Sequence, residues 1–243
     1  MAIIQVEHLW YSYGGAASPV LQDLTFRVQA GETLGIIGLN GSGKTTLCYC
    51  LCGIIPHYLD GDMRGRVLVN GQNTRETDLH RLATEVGIVL QDPSVQVLMP
   101  TVEDDIAFAL ENNNLPRQEI RKRLYRSMEL VGITGLKNEN PNNLSGGEKQ
   151  LVALATVLAL EPAIIVYDEP LAMLDELAAE RVIAVMQKLK QQGITQIVID
   201  HTLKGTGLYD KVFVLEAGRI IRRGPPDLVL GDKEFLREHD LLF

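Results

Sequence analysis

Gly38-Leu39-Asn40-Gly41-Ser42-Gly43-Lys44-Thr45 is the stretch on which the fold turns. It follows the largely apolar run Thr33-Leu34-Gly35-Ile36-Ile37 and opens a helical pattern at Thr46-Leu47. A strand, a G-x-x-x-x-G-K-[ST] loop and a helix in that order make a phosphate cradle. Its glycines let backbone N–H groups turn inward, and an anion then rests on the helix N-terminus. Gly38, Asn40, Gly41, Ser42, Gly43 and Thr46 are expected to line that cradle. Lys44 places a cation against the β- and γ-phosphates, and Thr45 offers a hydroxyl to Mg²⁺. The loop predicts binding of a nucleoside triphosphate. By itself it says neither which one nor what the binding drives.

Working outward, 243 residues suffice for one large α/β domain or two small ones with an ample core. Hydrophobic content of 46% and charged content of 22% are ordinary for a globular chain. A net charge of −8 leaves no overall basic footprint, which argues against nucleic acid as the main partner. The three cysteines, Cys48, Cys50 and Cys52, alternate along the helix after the loop. Only Cys48 and Cys52 share a helix face, and the spacing does not suit a zinc cluster, so buried thiols in a reducing compartment are expected. The N-terminus runs straight into a strand pattern with no signal sequence. The longest apolar run, Leu151 to Leu160, is too short to span a bilayer. A cytoplasmic chain is expected, reaching any membrane through a partner.

Residues 3–13 and 20–28 read as strands joined by Gly14-Gly15-Ala16-Ala17-Ser18-Pro19. The helix after the phosphate loop is expected to run to about Gly53 and to end at Ile54-Ile55-Pro56. Arg66 to Val69 reads as a short strand closed by Asn70-Gly71, and Glu85 to Leu90 as another. From 92 to 160 the pattern turns helical, an insert within the α/β core. Thr101 is the expected N-cap of one helix. Pro116 opens a second, on which Ile120, Leu124, Met128 and Val131 recur at helical spacing until Gly132. Asn138 to Asn143 is a polar loop. The α/β pattern resumes with the buried strand Ala163 to Asp168, a helix from Glu176 to Gln192 and a strand from Ile194 to Ile199. Lys211 to Leu215 and Arg219 to Arg222 form a hairpin, and Pro225-Pro226-Asp227 opens a final short helix. No internal repeat and no long regulatory domain after the hairpin are expected.

The cradle needs a carboxylate on its metal side. Asp168 ends a buried apolar strand, where a Walker-B aspartate stands beside the mouth of such a loop. Glu169 follows it. Neighbouring side chains on a strand point opposite ways, so Asp168 is assigned to Mg²⁺ and Glu169 to orienting or deprotonating the attacking water.

Leu144-Ser145-Gly146-Gly147-Glu148 resembles the signature motif of the ATP-binding-cassette (ABC) ATPases, and it lies shortly before Asp168-Glu169 as in that family. Leu171-Ala172-Met173-Leu174-Asp175 resembles their D-loop, His201 their switch histidine, Gln91 their Q-loop glutamine, and Tyr13 the aromatic that stacks on adenine. The resemblance covers essentially the whole chain. It implies a P-loop NTPase core with a mostly parallel sheet, an antiparallel β subdomain and an inserted α-helical subdomain. It implies ATP and Mg²⁺ as ligands. Thr45, Gln91 and Asp168 would serve the metal, Glu169, His201 and Gln91 the catalysis, and Ser145, Gly146 and Gly147 the γ-phosphate of a partner's ATP. Two cassettes, alike or different, would meet head to tail with each ATP between them.

A cassette with no transmembrane helices, no long coiled coil and no second copy in the chain best suits a transporter with separate membrane subunits. Gln91-Asp92-Pro93-Ser94-Val95-Gln96 and the segment from Thr101 to Asn112 are similar to the energy-coupling-factor (ECF) ATPases. Ile54-Ile55-Pro56-His57 agrees. That group implies a peripheral subunit on the cytoplasmic side of the cell membrane, a transmembrane coupling protein, a small substrate-binding membrane protein, and uptake of a vitamin or a transition-metal ion. The alternative is a soluble ATP-switched module with non-membrane partners. Leu171, Met173, Glu176, Leu151, Asp200 and Glu148 depart from the commonest family residues. A groove along 92–106, made acidic by Asp92, Glu103, Asp104 and Asp105, is expected to receive a basic helix of the membrane subunit.

Overall fold

The computed structural model of the chain describes residues 2–241. Alternation of apolar and polar residues builds the first sheet. Strand β1 (Ala2–Tyr13) buries Ile4, Val6, Leu9 and Tyr11, and β2 (Leu21–Gln29) buries Leu21, Leu24, Phe26 and Val28. β1 pairs antiparallel with β2 on one side and with β4 (Gly61–Val69) on the other, and β5 (Gln72–Asn73) closes the order β2-β1-β4-β5. The sequence places β4 only at Arg66–Val69. Its first residues, Gly61 to Arg64, look like a loop but are recruited as partners of Tyr13 to Trp10. A neighbouring strand overrides their poor strand propensity.

The second sheet has the order β10-β9-β3-β8-β7-β6. Its strands are β3 (Thr33–Ile37), β6 (Val86–Val89), β7 (Ile164–Asp168), β8 (Thr195–Asp200), β9 (Lys211–Glu216) and β10 (Arg219–Gly224). β7, β8 and β9 run parallel within the β7-β8-β3-β9 block, and every residue of β3, β7 and β8 is buried. β10 turns back antiparallel to β9, the hairpin read from the sequence. The chain is thus an α/β protein with a mostly parallel sheet and a separate antiparallel sheet, as its motifs imply.

The helices are α1 (Lys44–Leu51), α2 (Ile54–His57), α3 (Leu79–Glu85), α4 (Val102–Glu111), α5 (Arg117–Val131), α6 (Gly146–Ala159), α7 (Glu176–Gln191), α8 (Pro226–Leu230) and α9 (Lys233–Glu238). Three expectations are corrected. α1 stops at Leu51, and Ile54-Ile55-Pro56 forms a further kinked helical turn instead of a terminator. Glu85 closes α3 and does not start β6, since Asp78 caps that helix through the amide of His80. α8 is followed by α9, whose cap is Asp232. Cys48, Cys50 and Cys52 are free thiols inside the apolar core, and burial pushes the Cys50 thiol up to about 12.

The chain divides into two compact units. One contains the residues up to Ile88, Ala163–Glu169, and those from Lys190 on; the other contains Val89–Pro162 and Pro170–Leu189. In the second unit α4, α5 and α6 pack on one another. Thr101 caps α4 by accepting the Asp104 amide at 3.1 Å. α5 buries Leu124, Met128 and Val131, and Gly132 ends it with φ 76°. Ser145 and Glu148 form a reciprocal capping box at the start of α6. The Ser145 hydroxyl accepts the Glu148 amide (3.3 Å), and Glu148 Oε2 accepts the Ser145 amide (2.9 Å). Replacing Ser145 with alanine is expected to lower stability by about 1 kcal/mol, read as a shift in the urea midpoint.

Four acids were expected along a groove at 92–106, and the structure corrects that picture. Asp105 is buried. Its Oδ1 accepts the amides of Leu98 (2.7 Å) and Met99 (2.9 Å), so it ties the loop before α4 to the helix. Glu103 pairs with Lys137 at 3.0 Å, Asp104 accepts the Thr101 hydroxyl at 2.7 Å, and Asp92 caps the turn Pro93–Val95. The exposed large apolar side chains here are Val95 and Leu98, with Phe108 just beyond on α4.

Candidate nucleotide site

Three neighbouring strands end at one edge of the second sheet. Ile37, the last residue of β3, lies opposite Asp200, the last of β8, and Asp168, the last of β7, lies opposite Ile199. Register alone therefore brings the phosphate loop, Asp168-Glu169 and His201 to the carboxyl ends of the strands, where such sheets bind ligands. β8 stands between the other two, so His201 leaves the sheet from the middle.

The loop folds as a cradle. Gly43, at the head of α1, has φ 102°, a conformation that excludes an ordinary side chain. A Cβ on Gly38 would lie 2.2 Å from the Leu215 carbonyl oxygen, so that backbone runs against β9 with no room to spare. The Gly218 amide, in the turn between β9 and β10, donates to the Ser42 carbonyl at 3.0 Å and fastens the hairpin to the loop. Ser42 is buried, and its hydroxyl has no hydrogen-bond partner.

Lys44 is almost fully buried. Its Nζ donates to the carbonyls of Gly38 (2.7 Å) and Leu39 (3.0 Å). On its other side lie Glu169 Oε1 at 3.6 Å and His201 Nδ1 at 3.5 Å. Glu169 Oε2 is 2.8 Å from His201 Nε2. These three side chains form a closed cluster. Asp168 stands beside it, with Oδ1 accepting the Thr45 hydroxyl at 3.3 Å. Burial holds the Asp168 carboxyl above its ordinary range, opposed by hydrogen bonds from Thr45 and Cys48 and by the charge of Lys44. A buried carboxylate beside a hydroxyl is an oxygen donor pair that suits Mg²⁺, a cation that takes few protein ligands and fills its shell with water and phosphate. The residues thus fit that ion.

Glu169 has φ 50°, in the left-handed region that residues with a Cβ seldom enter. Its amide still donates to the Ile199 carbonyl at 2.7 Å, extending the ladder, while its side chain leaves the alternation of β7. That is how adjacent carboxylates reach different partners. The Tyr13 hydroxyl is 3.0 Å from Thr46 Oγ1, and its ring meets Tyr11 edge-on at 4.9 Å between centroids. Asp200, one of the departures from the family pattern, has a structural role. It is buried, and its Oδ1 accepts the amides of His201 (2.7 Å) and Thr202 (3.4 Å), fixing the loop that carries the histidine. A short acid at a strand end, with two amides following, is the signal for that role.

All of these groups belong to the first unit. Gln91, Ser145, Gly146 and Gly147 belong to the second. Gln91 is exposed at a bend after β6. Ser145 and Gly146 are exposed at the open N-terminus of α6, where amides await an acceptor. Leu151 and Leu171, both departures from the family pattern, are buried apolar residues, whereas Met173 is exposed.

A parallel sheet whose strand ends carry a glycine cradle, a buried lysine, a carboxylate pair and a histidine defines a P-loop nucleotide hydrolase. The family pattern described as ABC transporter matches residues 21–172, and the chain belongs to that family. It is 41% identical over 238 residues to a putative ABC transporter ATP-binding protein of Pyrococcus abyssi, covering 97% of this chain and 85% of the relative. It is 35% identical over 244 residues to the energy-coupling factor transporter ATP-binding protein of Methanocaldococcus jannaschii, covering 99% and 85%. Among solved structures it resembles cbiO1 of Clostridium perfringens, described as part of the ABC transporter complex cbiONQ. The TM-score is 0.85 and the identity 33%, over 99% of this chain and 95% of that one. The chain is the ATP-binding subunit of a transporter, and its reaction is ATP hydrolysis. No helix among the described residues is long and apolar enough to cross a membrane.

Proposed function

We propose that this chain powers an ECF-type importer, hydrolysing ATP to drive uptake of a vitamin or a transition-metal ion through separate membrane subunits. The observation that carries the ATP-hydrolysing part is the convergence of Lys44, Asp168, Glu169 and His201 from three adjacent strand ends. ATP lies with its phosphates on the amides of residues 38–46 and its adenine against Tyr13. Two of the three Lys44 N–H groups are taken by the loop's own carbonyls, and the third serves the γ-phosphate. Thr45 and Asp168 would hold Mg²⁺, which would supply positive charge to the phosphate oxygens, with Gln91 assigned to the same ion by the family resemblance. Glu169 accepts the proton of the attacking water. His201, on Glu169 Oε2 through Nε2, keeps that carboxylate oriented before ATP arrives, and would turn that N–H to the γ-phosphate once ATP is bound.

Ser145, Gly146 and Gly147 serve the ATP of a second cassette, alike or different, through the exposed end of α6. The segment 92–160 acts as a helical arm that begins directly after Gln91. Its exposed Val95, Leu98 and Phe108 support contact with an apolar helix of a transmembrane coupling protein, in place of the acidic docking expected from sequence. The chain then works as a peripheral subunit on the cytoplasmic face, beside a substrate-binding membrane protein. Relatives named for energy coupling, at 35–37% identity, support this choice of transporter class.

Affinity purification from native membranes tests the reading. The chain should travel with an integral membrane protein, and Leu98→Asp with Phe108→Asp should release it while soluble ATP hydrolysis persists. A chain that purifies with soluble proteins alone would favour the ATP-switched module.

A further inference from the structure

A second concavity, of about 390 Å³, lies on the first unit away from the phosphate loop, lined by Phe26, Phe213, Pro225, Arg27, Lys211 and Arg223 among others. That volume is in the range of small-molecule sites. Its floor is aromatic: Phe26 and Phe213 meet edge to face, with centroids 5.5 Å apart and planes at 77°. Its rim is cationic in a chain whose net charge is −8.

The rim charges are not equally matched. Asp210, the one acid in the lining, is occupied: Oδ2 accepts the Thr33 amide and Oδ1 pairs with Lys190, both at 2.8 Å. Lys211 pairs with Glu32 at 2.6 Å. Arg27 reaches Glu7 only at 3.9 Å, and Glu7 is already shared with Arg66. Arg223 has no side-chain hydrogen bond or ion pair among the described residues. It sits on the edge strand β10 opposite Phe213, so the unmatched guanidinium and the aromatic floor share one face of the hairpin. The preceding Arg222 is by contrast engaged, paired with Asp232 at 2.8 Å and laid over the Phe235 ring.

We infer that this cavity binds an anionic amphiphile, with a phosphate or carboxylate head on Arg223 and Arg27 and an apolar body on Phe26 and Phe213. The head supplies the charge that Arg223 lacks, in the fork geometry guanidinium groups favour. The body lies against the small edges that the otherwise buried Phe26 and Phe213 rings present to the cavity, beside Pro225. Such a ligand arrives either as a free metabolite or as an anionic lipid.

The test uses the purified full chain, titrated calorimetrically with octyl phosphate below its micellar concentration and, in parallel, with octan-1-ol. One octyl phosphate should bind per chain, with the neutral alcohol at least about tenfold weaker. Arg223→Gln should weaken octyl phosphate at least about tenfold, Arg223→Lys much less, and Arg27→Gln with Arg223→Gln should abolish binding. ATP hydrolysis should be unchanged in all three. Sedimentation with vesicles separates the sources. Recruitment to phosphatidylglycerol but not phosphatidylcholine, competed by octyl phosphate, identifies a lipid; octyl phosphate binding without recruitment identifies a soluble ligand. Absence of binding, equal affinity for octanol, or full affinity in Arg223→Gln overturns the inference.

Discussion

Exchanging Glu169 for glutamine is expected to slow ATP turnover by about 10²–10⁴-fold while leaving ATP binding intact. The glutamine keeps the shape of the side chain and a carbonyl oxygen for His201, which now stands 2.8 Å from Oε2. It removes the basic oxygen that would take a proton from water. Because Lys44 contacts Glu169 only at 3.6 Å and is held chiefly by the Gly38 and Leu39 carbonyls, the cradle should keep its form. Bound ATP would then persist, and the variant should accumulate as a dimer with two nucleotides on size-exclusion chromatography in ATP. Turnover within a factor of about three of the unaltered protein would remove Glu169 from the role of base. Loss of ATP binding would instead show that its ion pair with Lys44 holds the loop.

Asp105→Ala should lower stability by about 2–4 kcal/mol, the second large effect. Its carboxylate accepts two amides, Leu98 and Met99, in a buried setting, and alanine leaves both donors unmatched. Asp105→Asn retains one acceptor oxygen and should lose less. Asp104→Lys, at an exposed neighbouring position, should lose little beyond the helix-start preference for acids. Urea unfolding followed by circular dichroism ranks the three, and an Asp105→Ala midpoint equal to that of the unaltered protein would contradict the assignment.

The contrast between Asp104 and Asp105 marks where the sequence stops being legible. Both stand in one acidic run after Thr101, and periodicity cannot say that one accepts the Thr101 hydroxyl at the surface while the other turns inward to serve a loop seven residues back. Motifs with obligatory spacing fared better. The loop at 38–45, the strand ending at Asp168 and the strand before His201 are visible because each combines a local pattern with a chemical requirement. Gly61 to Arg64 were invisible as strand because their conformation comes from β1, not from themselves. Asp200 was visible as an unusual residue, but its purpose lies in two backbone amides that no pattern reveals.

The hydrogen bond from the Gly218 amide to the Ser42 carbonyl also limits how the loop can move. It welds the back of the loop to a hairpin that is itself part of the main sheet, and Leu215 crowds Gly38 from the same side. The rear of the socket is as stiff as the sheet. A phosphate chain arriving or leaving is therefore met at the front, where Lys44, Glu169 and His201 exchange contacts with one another for contacts with it, while the frame behind them stays put.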